Sequence, residues 1–378
     1  MQAVAPDHEA VRRLAGMRLD RPVVLSIYLD LDPSEFATPP ARATAARSVL
    51  DGADRTLRQL DGLSHADRTD LEASLEKARR VLTGSLDADG AHGLALFACE
   101  AEGLLETLKL PRPVPSRVAI DRSPLVGPLV GLARRERWCV VLVSKQDARV
   151  FRGSPDGLRE VDKLHDDVHG RHDQGGMSQA RYQRSIEKEV ADHLKGAADR
   201  LLRHYKRQPF ERLVVGGPRE VVAEFETKLH GYLQERLAGR VDVDVESATP
   251  EQVLQAARGH FEQLEAQREA EAMERLDEGS RAVAGLENVL PPLNERRVEV
   301  LLIEDRFSAP GTLCPQCGWL GPEGESRCPA DGSKLHARDD MTEPAIELAL
   351  QQSAEVLPLR RRAEHLRERG GIGALLRF

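Results

Sequence analysis

The cysteines in the last quarter of the chain have the spacing that most clearly predicts a chemical site. Cys314-Pro-Gln-Cys317-Gly and Cys328-Pro-Ala-Asp331-Gly form two similar halves, with ten residues between Cys317 and Cys328. Each half holds two ligand-type side chains with two residues between them and a glycine directly after, as in zinc ribbons, where paired ligands converge on one tetrahedral ion. A carboxylate oxygen can replace a thiolate as a Zn²⁺ ligand. The sequence therefore predicts a Cys3Asp zinc site, with His336 as the alternative fourth ligand.

A structural role is expected for this metal, because it would fold a small segment that has no core of its own. Two alternatives stay open at this stage: a knuckle that has lost its metal and packs as a loop, and a redox role. The chain has five cysteines. An odd number without an export signal argues against a framework of disulfides.

A polar segment with two adjacent glycines is the second candidate site. Gly175 and Gly176 permit backbone conformations closed to other residues and allow close approach to a ligand. An amphipathic helix is predicted to follow, and between Arg181 and Gln208 the sequence has eight basic and four acidic residues. That local excess of positive charge would suit contact with RNA phosphates. The candidate RNA-binding residues are Arg171, Ser178, Gln179, Arg181 and Arg184. The alternative is an ordinary solvated connection before an exposed helix face.

Composition limits the class of protein. The chain has 378 residues, 40% hydrophobic and 31% charged, with a net charge of −8. These values are typical of globular domains, and an acidic chain is not drawn to nucleic acid as a whole, so any RNA contact must be local. No apolar run approaches the ~20 residues that a membrane-spanning helix needs. We therefore expect a cytoplasmic protein without a membrane partner.

The pattern of elements predicts a multidomain α/β fold. Residues 138–143 form an apolar run typical of a buried strand, and the run at 212–218 is a strand that ends in a glycine turn before a helix. One helical stretch is expected at about 41–82. We predict three α/β domains with mixed sheets, at 1–130, 131–248 and 249–378, with a zinc-ribbon-like insertion near 312–338.

Four features in the same order resemble the archaeal and eukaryotic class-one peptide chain release factor and Pelota superfamily, in a Balon-like bacterial branch. The segment 175–182, Gly-Gly-Met-Ser-Gln-Ala-Arg-Tyr before a long helix, resembles the family's Gly-Gly-Gln-Ser loop. The strand at 298–305, the cysteine knuckles after it and the terminal segment 371–377 complete the resemblance, which covers roughly residues 137–378.

The resemblance implies a translation factor that occupies the ribosomal A site in place of tRNA. In that family the glycine loop reaches the peptidyl-transferase centre, and the C-terminal domain meets an elongation-factor-type GTPase. The implied partners are therefore the ribosome, through rRNA and P-site tRNA, and such a GTPase. The implied catalytic loop is Gly175, Gly176 and Met177.

One position departs from the family pattern. Met177 stands where the family has glutamine, and a thioether cannot donate the hydrogen bond that an amide donates. Three functions remain open: ribosome rescue or peptide release by peptidyl-tRNA hydrolysis; ribosome hibernation or protection without hydrolysis, which Met177 favours; and a zinc-ribbon adaptor that binds another protein. Whether the chain is an enzyme is left open.

Overall fold

The computed structural model describes residues 6–84, 90–133, 137–167 and 179–378, and for residues 133 and 179–183 it describes the backbone alone. The described residues pack as two units. One unit combines the residues before 134 with those from Arg268 to Phe378, and the other consists of the residues between them.

The N-terminal part of the first unit is an antiparallel sheet with helices. Its elements are α1 (His8–Ala15), β1 (Val24–Asp30), α2 (Pro39–Gln59), α3 (His65–Thr83), β2 (Gly93–Cys99), β3 (Leu104–Leu110), β4 (Arg117–Asp121) and α4 (Gly127–Ala133). The strand order is β3-β2-β1-β4. The helical stretch expected at 41–82 is two helices, because Ser64 starts α3 with a capping box that it forms with Asp67.

Both faces of this sheet are covered. Successive side chains of a strand point to opposite faces, and the first six side chains of β1 are all buried. Leu25, Ile27 and Leu29 pack against α2 and α3 on one face. Tyr28 points to the other face, and its hydroxyl donates to the Leu125 carbonyl at 2.6 Å. The second face therefore needs a partner from elsewhere in the chain.

The second unit holds a mixed five-stranded sheet. Its elements are β5 (Trp138–Val143), β6 (Asp147–Ser154), β7 (Gly157–His165), α5 (Gln179–Arg207), β8 (Arg212–Gly216), α6 (Arg219–Lys228), α7 (Gly231–Gln234) and β9 (Leu237–Val241). The strand order is β7-β6-β5-β8-β9, antiparallel among β5, β6 and β7 and parallel among β5, β8 and β9. The next helix is α8 (Pro250–Asp277).

The central strand β5 is buried along its whole length because this sheet also has two covered faces. Cys139, Val141 and Val143 pack against α5 and α6. Trp138 faces the other way and meets Phe261 of α8 edge to face, with ring centroids 4.1 Å apart. The continuous apolar run of β5 follows from this double cover.

The C-terminal part of the first unit contributes two small sheets. Its elements are β10 (Ala282–Ala284), α9 (Leu286–Asn294), β11 (Val298–Glu304), β12 (Gly311–Leu313), β13 (Leu320–Gly321), β14 (His336–Arg338), α10 (Thr342–Gln351), β15 (Glu355–Leu359), α11 (Ala363–Arg367) and β16 (Ile372–Leu376). One sheet has the mixed order β10-β16-β11-β15, and the other has the order β13-β12-β14.

A single hydrophobic core joins the N-terminal and C-terminal parts of this unit. Tyr28 and Phe97 of the first sheet share it with Leu301 of β11 and Ile346 of α10. The multidomain α/β class with mixed sheets agrees with the prediction from the sequence, and the boundaries 1–130, 131–248 and 249–378 stay predictions. Of the helices that the structure describes, none combines the length and the apolar composition needed to span a bilayer.

Candidate functional site

The predicted metal ligands lie together in space. One ligand atom from each of Cys314, Cys317, Cys328 and Asp331 falls within 4.8 Å of all the others. The Cys317 and Cys328 Sγ atoms are 3.5 Å apart, and the Cys314 Sγ lies 3.3 Å from the Asp331 Oδ2. Two thiolates on one tetrahedral Zn²⁺, each at about 2.3 Å from the ion, would be about 3.8 Å apart. The cluster therefore has close to the dimensions that a tetrahedral metal ion requires.

The two knuckles repeat one backbone pattern. Cys314 N–H donates to the Trp319 carbonyl, and Cys328 N–H donates to the Ser333 carbonyl, both at 2.8 Å. The glycine of each turn, Gly318 at φ 79° and Gly332 at φ 76°, donates back to the carbonyl of the first cysteine. Asp331 in the second knuckle thus takes the place of Cys317 in the first.

Hydrogen bonds lower the pKa values of two side chains in this cluster, Asp331 and Cys314, and so favour their negatively charged forms. The backbone N–H of Ser333 is the main cause that holds the pKa of Asp331 well below its usual range. Burial disfavours the Cys314 thiolate, but N–H groups of Cys317 and Gln316 outweigh burial and leave the Cys314 pKa below its ordinary value. Burial raises the pKa of Cys317 to about 12, so a metal bound there would have to displace the proton of that thiol.

The predicted alternative ligand lies outside this group. His336 is exposed in β14, on the small sheet that supports the knuckles. Cys314 and Cys328 are buried beside Leu335 and Trp319, which form a very small apolar cluster. A metal would supply the cohesion that so small a core lacks.

Most residues of the predicted glycine loop lie outside the described residues. These are Arg171, Gly175, Gly176, Met177 and Ser178. Gln179 and Arg181 lie in the first turns of α5, where only the backbone is described, and Arg184 is exposed on the same helix.

The structure does describe the two elements that carry this loop. β7 ends at His165, and α5 begins at Gln179. Asp162 of β7 accepts hydrogen bonds from the Arg200 Nε at 2.8 Å and contacts the His204 Nε2 at 2.7 Å. Asp166, directly after β7, lies 2.6 Å from the Nδ1 of the buried His193. The elements on both sides of the loop are therefore fastened to each other.

The contacts between β7 and α5, and those at the end of β7, shift the pKa values of Asp162 and His165. Burial opposes ionisation of Asp162, but its contacts with His204 and Arg200 prevail and lower its pKa. The hydrogen bond to Asp147 is the main cause that raises the pKa of His165. Sequence reasoning missed these pairs, because their partners are up to 42 residues apart and no local spacing links them.

The outer face of α5 carries much of the predicted positive charge. Its apolar positions Val190, Leu194, Ala197 and Leu201 are buried against the sheet. The exposed basic residues of its described part are Arg184, Lys188, Lys195, Arg203, Lys206 and Arg207, against exposed Glu187, Asp192 and Asp199. The helix therefore presents a basic face in an acidic protein.

Comparisons with known proteins agree with the resemblance. Residues 124–262 match the model of bacterial archaeo-eukaryotic release factor family 10. Peptide chain release factor subunit 1 of Thermococcus kodakarensis is 24% identical in an alignment 357 residues long that covers 83% of this chain and 86% of the relative. The protein of the same name from Archaeoglobus fulgidus is 26% identical in an alignment 302 residues long that covers 73% of this chain and 74% of the relative.

Solved structures of Pelota proteins align with this chain at low similarity. Pelota of Archaeoglobus fulgidus covers 99% of this chain, and 93% of its own chain is covered, at 16% identity and a TM-score of 0.36. The archaeal Pelota in a ribosome-bound model with ABCE1 aligns over 73% of this chain and 72% of its own, at 19% identity and a TM-score of 0.43. The family model and the sequence relatives confirm the predicted resemblance to the bacterial branch of the archaeal and eukaryotic release factors.

Proposed function

We propose that this protein is a ribosome-associated translation factor of the release factor and Pelota type that acts in the ribosomal A site. The observation that carries the proposal is the Gly175-Gly176 pair placed between β7 and the long basic helix α5, in a segment that matches a bacterial release factor family. Asp162 in β7 and Asp166 directly after it support the proposal. Their contacts with Arg200 and His193 connect β7 to α5, the two elements on either side of the glycine pair.

In the first form of the proposal, the factor rescues stalled ribosomes or releases peptide by hydrolysing peptidyl-tRNA. The chain's own contribution would be backbone N–H groups at Gly175 and Gly176, which need no side chain to approach the ester and to stabilise a developing oxyanion. Arg184 and the basic face of α5 would contact rRNA phosphates.

In the second form, the factor occupies the A site without hydrolysis, as a hibernation or protection factor. Met177 favours this form, because its side chain cannot position a water by donating a hydrogen bond. The loop would then act as a contact to rRNA. The zinc-ribbon adaptor that binds a protein away from the ribosome is a further alternative, supported by the knuckles alone.

The Cys3Asp cluster is proposed as a structural Zn²⁺ site. When bound, the ion would supply cohesion to the 312–338 segment and take no part in a reaction. An elongation-factor-type GTPase is the proposed second partner, at the part of the chain that contains these knuckles.

A peptide-release assay separates the first two forms. Ribosomes with labelled peptidyl-tRNA in the P site are mixed with the native protein, with Gly176→Ala and with Met177→Gln. Release by the native protein that Gly176→Ala abolishes supports hydrolysis. An inert native protein that gains release through Met177→Gln supports the non-hydrolytic form.

Co-sedimentation with ribosomes over a salt series tests both forms against the adaptor. Binding through phosphates weakens steeply as salt rises, because counterions are released on binding. Arg184→Gln is expected to weaken binding, whereas the same change at Arg58, exposed on α2, serves as a matched control. Absence of co-sedimentation at low salt would leave only the adaptor.

A further inference from the structure

A cavity of about 250 Å³ lies beside the cysteine knuckles, and we call it the arginine pocket. Its charged lining residues are Arg18, Asp121, Arg122, His336 and Arg338. They come from three parts of the sequence: the segment after α1, the end of β4 and its following residue, and β14. The pocket forms only when the N-terminal and C-terminal parts of the first unit fold together.

Within the described residues, one of the three arginines in this pocket forms a salt bridge with a carboxylate. The Nη1 and Nη2 atoms of Arg338 donate hydrogen bonds to the Oδ2 and Oδ1 atoms of Asp121, at 3.0 and 3.2 Å. Arg18 donates to the carbonyl oxygen of Cys314 at 3.3 Å, and its buried Nε has no partner among the described residues. The side chain of Arg122 has no hydrogen-bond or ion-pair partner in the part of the chain that the structure describes.

The charge of the lining is therefore positive. Three guanidinium groups and one carboxylate leave a net charge of two before His336 is counted. Glu347 interacts electrostatically with Arg18 and Arg338, and its carboxyl group accepts a hydrogen bond from the Ser123 hydroxyl at 2.6 Å. Burial raises the Glu347 pKa to about 7, so its carboxyl group offsets only part of the positive charge at neutral pH.

Arginines in this arrangement select phosphate. The planar guanidinium offers paired N–H donors that match two oxygens of a phosphate group, and it stays charged at every physiological pH. A buried N–H without an acceptor is unfavourable, so the protein benefits from an anion that relieves the pocket's charge. The volume suits one phosphate with part of its sugar and is small for a larger ligand.

We infer that the arginine pocket binds a phosphate group, and that its source is the backbone of RNA. The site follows from the lining residues, whereas RNA as the source rests on the proposed function. Arg122 would make the main contact, because no other described residue occupies its guanidinium, and Arg18 would complete the site from the knuckle side.

Calorimetry with the metal-loaded full chain tests the site directly. Inorganic phosphate, adenosine monophosphate and a short single-stranded RNA are titrated into the native protein, Arg122→Gln and Arg58→Gln. We expect Arg122→Gln to weaken RNA binding about tenfold and to reduce the salt slope by about one, as the loss of one phosphate contact requires. Arg58→Gln, an equal change of charge at an exposed site outside the pocket, leaves both values unchanged.

The probes separate the two sources of phosphate. RNA binding that depends on Arg122, and that excess inorganic phosphate at constant ionic strength weakens to the level of Arg122→Gln, supports the backbone as the ligand. Saturable binding of adenosine monophosphate that depends on Arg122 keeps the phosphate site and assigns it to a free nucleotide. Binding of any probe that Arg122→Gln and Arg18→Gln both leave unchanged, in variants with native thermal unfolding, overturns the inference.

A rival role for these arginines is to offset the negative charge of a metal-loaded knuckle. Metal content of each variant distinguishes this role: loss of Zn²⁺ from Arg122→Gln with unchanged phosphate affinity overturns the inference. Ribosome sedimentation keeps the inference separate from the proposed function. A native chain that binds phosphate through Arg122 but does not sediment with ribosomes refutes the function and leaves the pocket standing.

Discussion

Replacement of Glu347 by glutamine should stabilise the protein at neutral pH. Glu347 is a buried residue of α10, 5% exposed, and its carboxyl group accepts a hydrogen bond from the Ser123 hydroxyl at 2.6 Å. Burial is the main cause that raises its pKa to about 7. Charged neighbours act in both directions, since Arg18 and Arg338 lower this pKa and Asp121 raises it.

The sign follows from proton binding. The folded protein holds a proton on Glu347 up to pH 7, whereas the unfolded chain releases it near its ordinary value of 4.5. Stability from this group is therefore fully present below pH 4.5 and is lost as pH rises through 7. Each pH unit in that window costs about 1.4 kcal/mol, so the total reaches ~3 kcal/mol at neutral pH.

Glutamine stays neutral and keeps an oxygen that accepts from Ser123. Urea unfolding at several pH values should therefore show Glu347→Gln as stable as native protein near pH 4.5 and more stable by ~3 kcal/mol at pH 7. Glu72→Gln, at an exposed position of α3, is the control and should leave the pH dependence unchanged. A variant less stable than native protein at every pH, or an unchanged slope between pH 5 and 7, would refute the reasoning.

Three further predictions concern other parts of the chain. Asp331→Ala should lower bound Zn²⁺ while Asp331→Cys retains it, as metal analysis after gel filtration would measure, and equal metal in both would contradict the assignment of the fourth ligand. Gly217→Ala should destabilise the protein by about 2 kcal/mol or more in thermal unfolding, because Gly217 has φ 130° and an added Cβ would lie 2.1 Å from the Val143 carbonyl oxygen; no change would mean that the turn relaxes freely. Arg149→Leu should cost about 3–5 kcal/mol in urea unfolding, because the buried guanidinium holds Glu160 and the carbonyls of Val245, Glu246 and Ala248; a loss below about 1 kcal/mol would show that water replaces it.

Local patterns were sufficient for strand β5 and for the four residues of the metal cluster, but not for the break between α2 and α3. The apolar run 138–143 predicted β5, and the Cys-x-x-Cys-Gly and Cys-x-x-Asp-Gly turns predicted a cluster that the structure assembles. Such features depend on residues within a few positions of each other, so spacing alone carries them. The choice between Asp331 and His336 needed the backbone repeat of the two knuckles.

The glycine loop remains a prediction, since Gly175, Gly176 and Met177 lie outside the described residues. The two elements on either side of it, β7 and α5, show where reasoning from the sequence fails. Asp166 and His193 are 27 residues apart, and only the return of α5 along β7 brings them into contact.

The amino-acid sequence by itself indicated strands such as β5 and β8, the long helix α5 with its excess of positive charge, and the composition of the metal cluster, because each arises from periodicity or short-range turns. Only the tertiary structure decided that the two ends of the chain share one core, that Glu347 is buried beside arginines, and that Arg18, Arg122 and Arg338 line one cavity. These contacts join residues up to several hundred positions apart. Their energies come from burial and charge in the assembled fold, which no local pattern records.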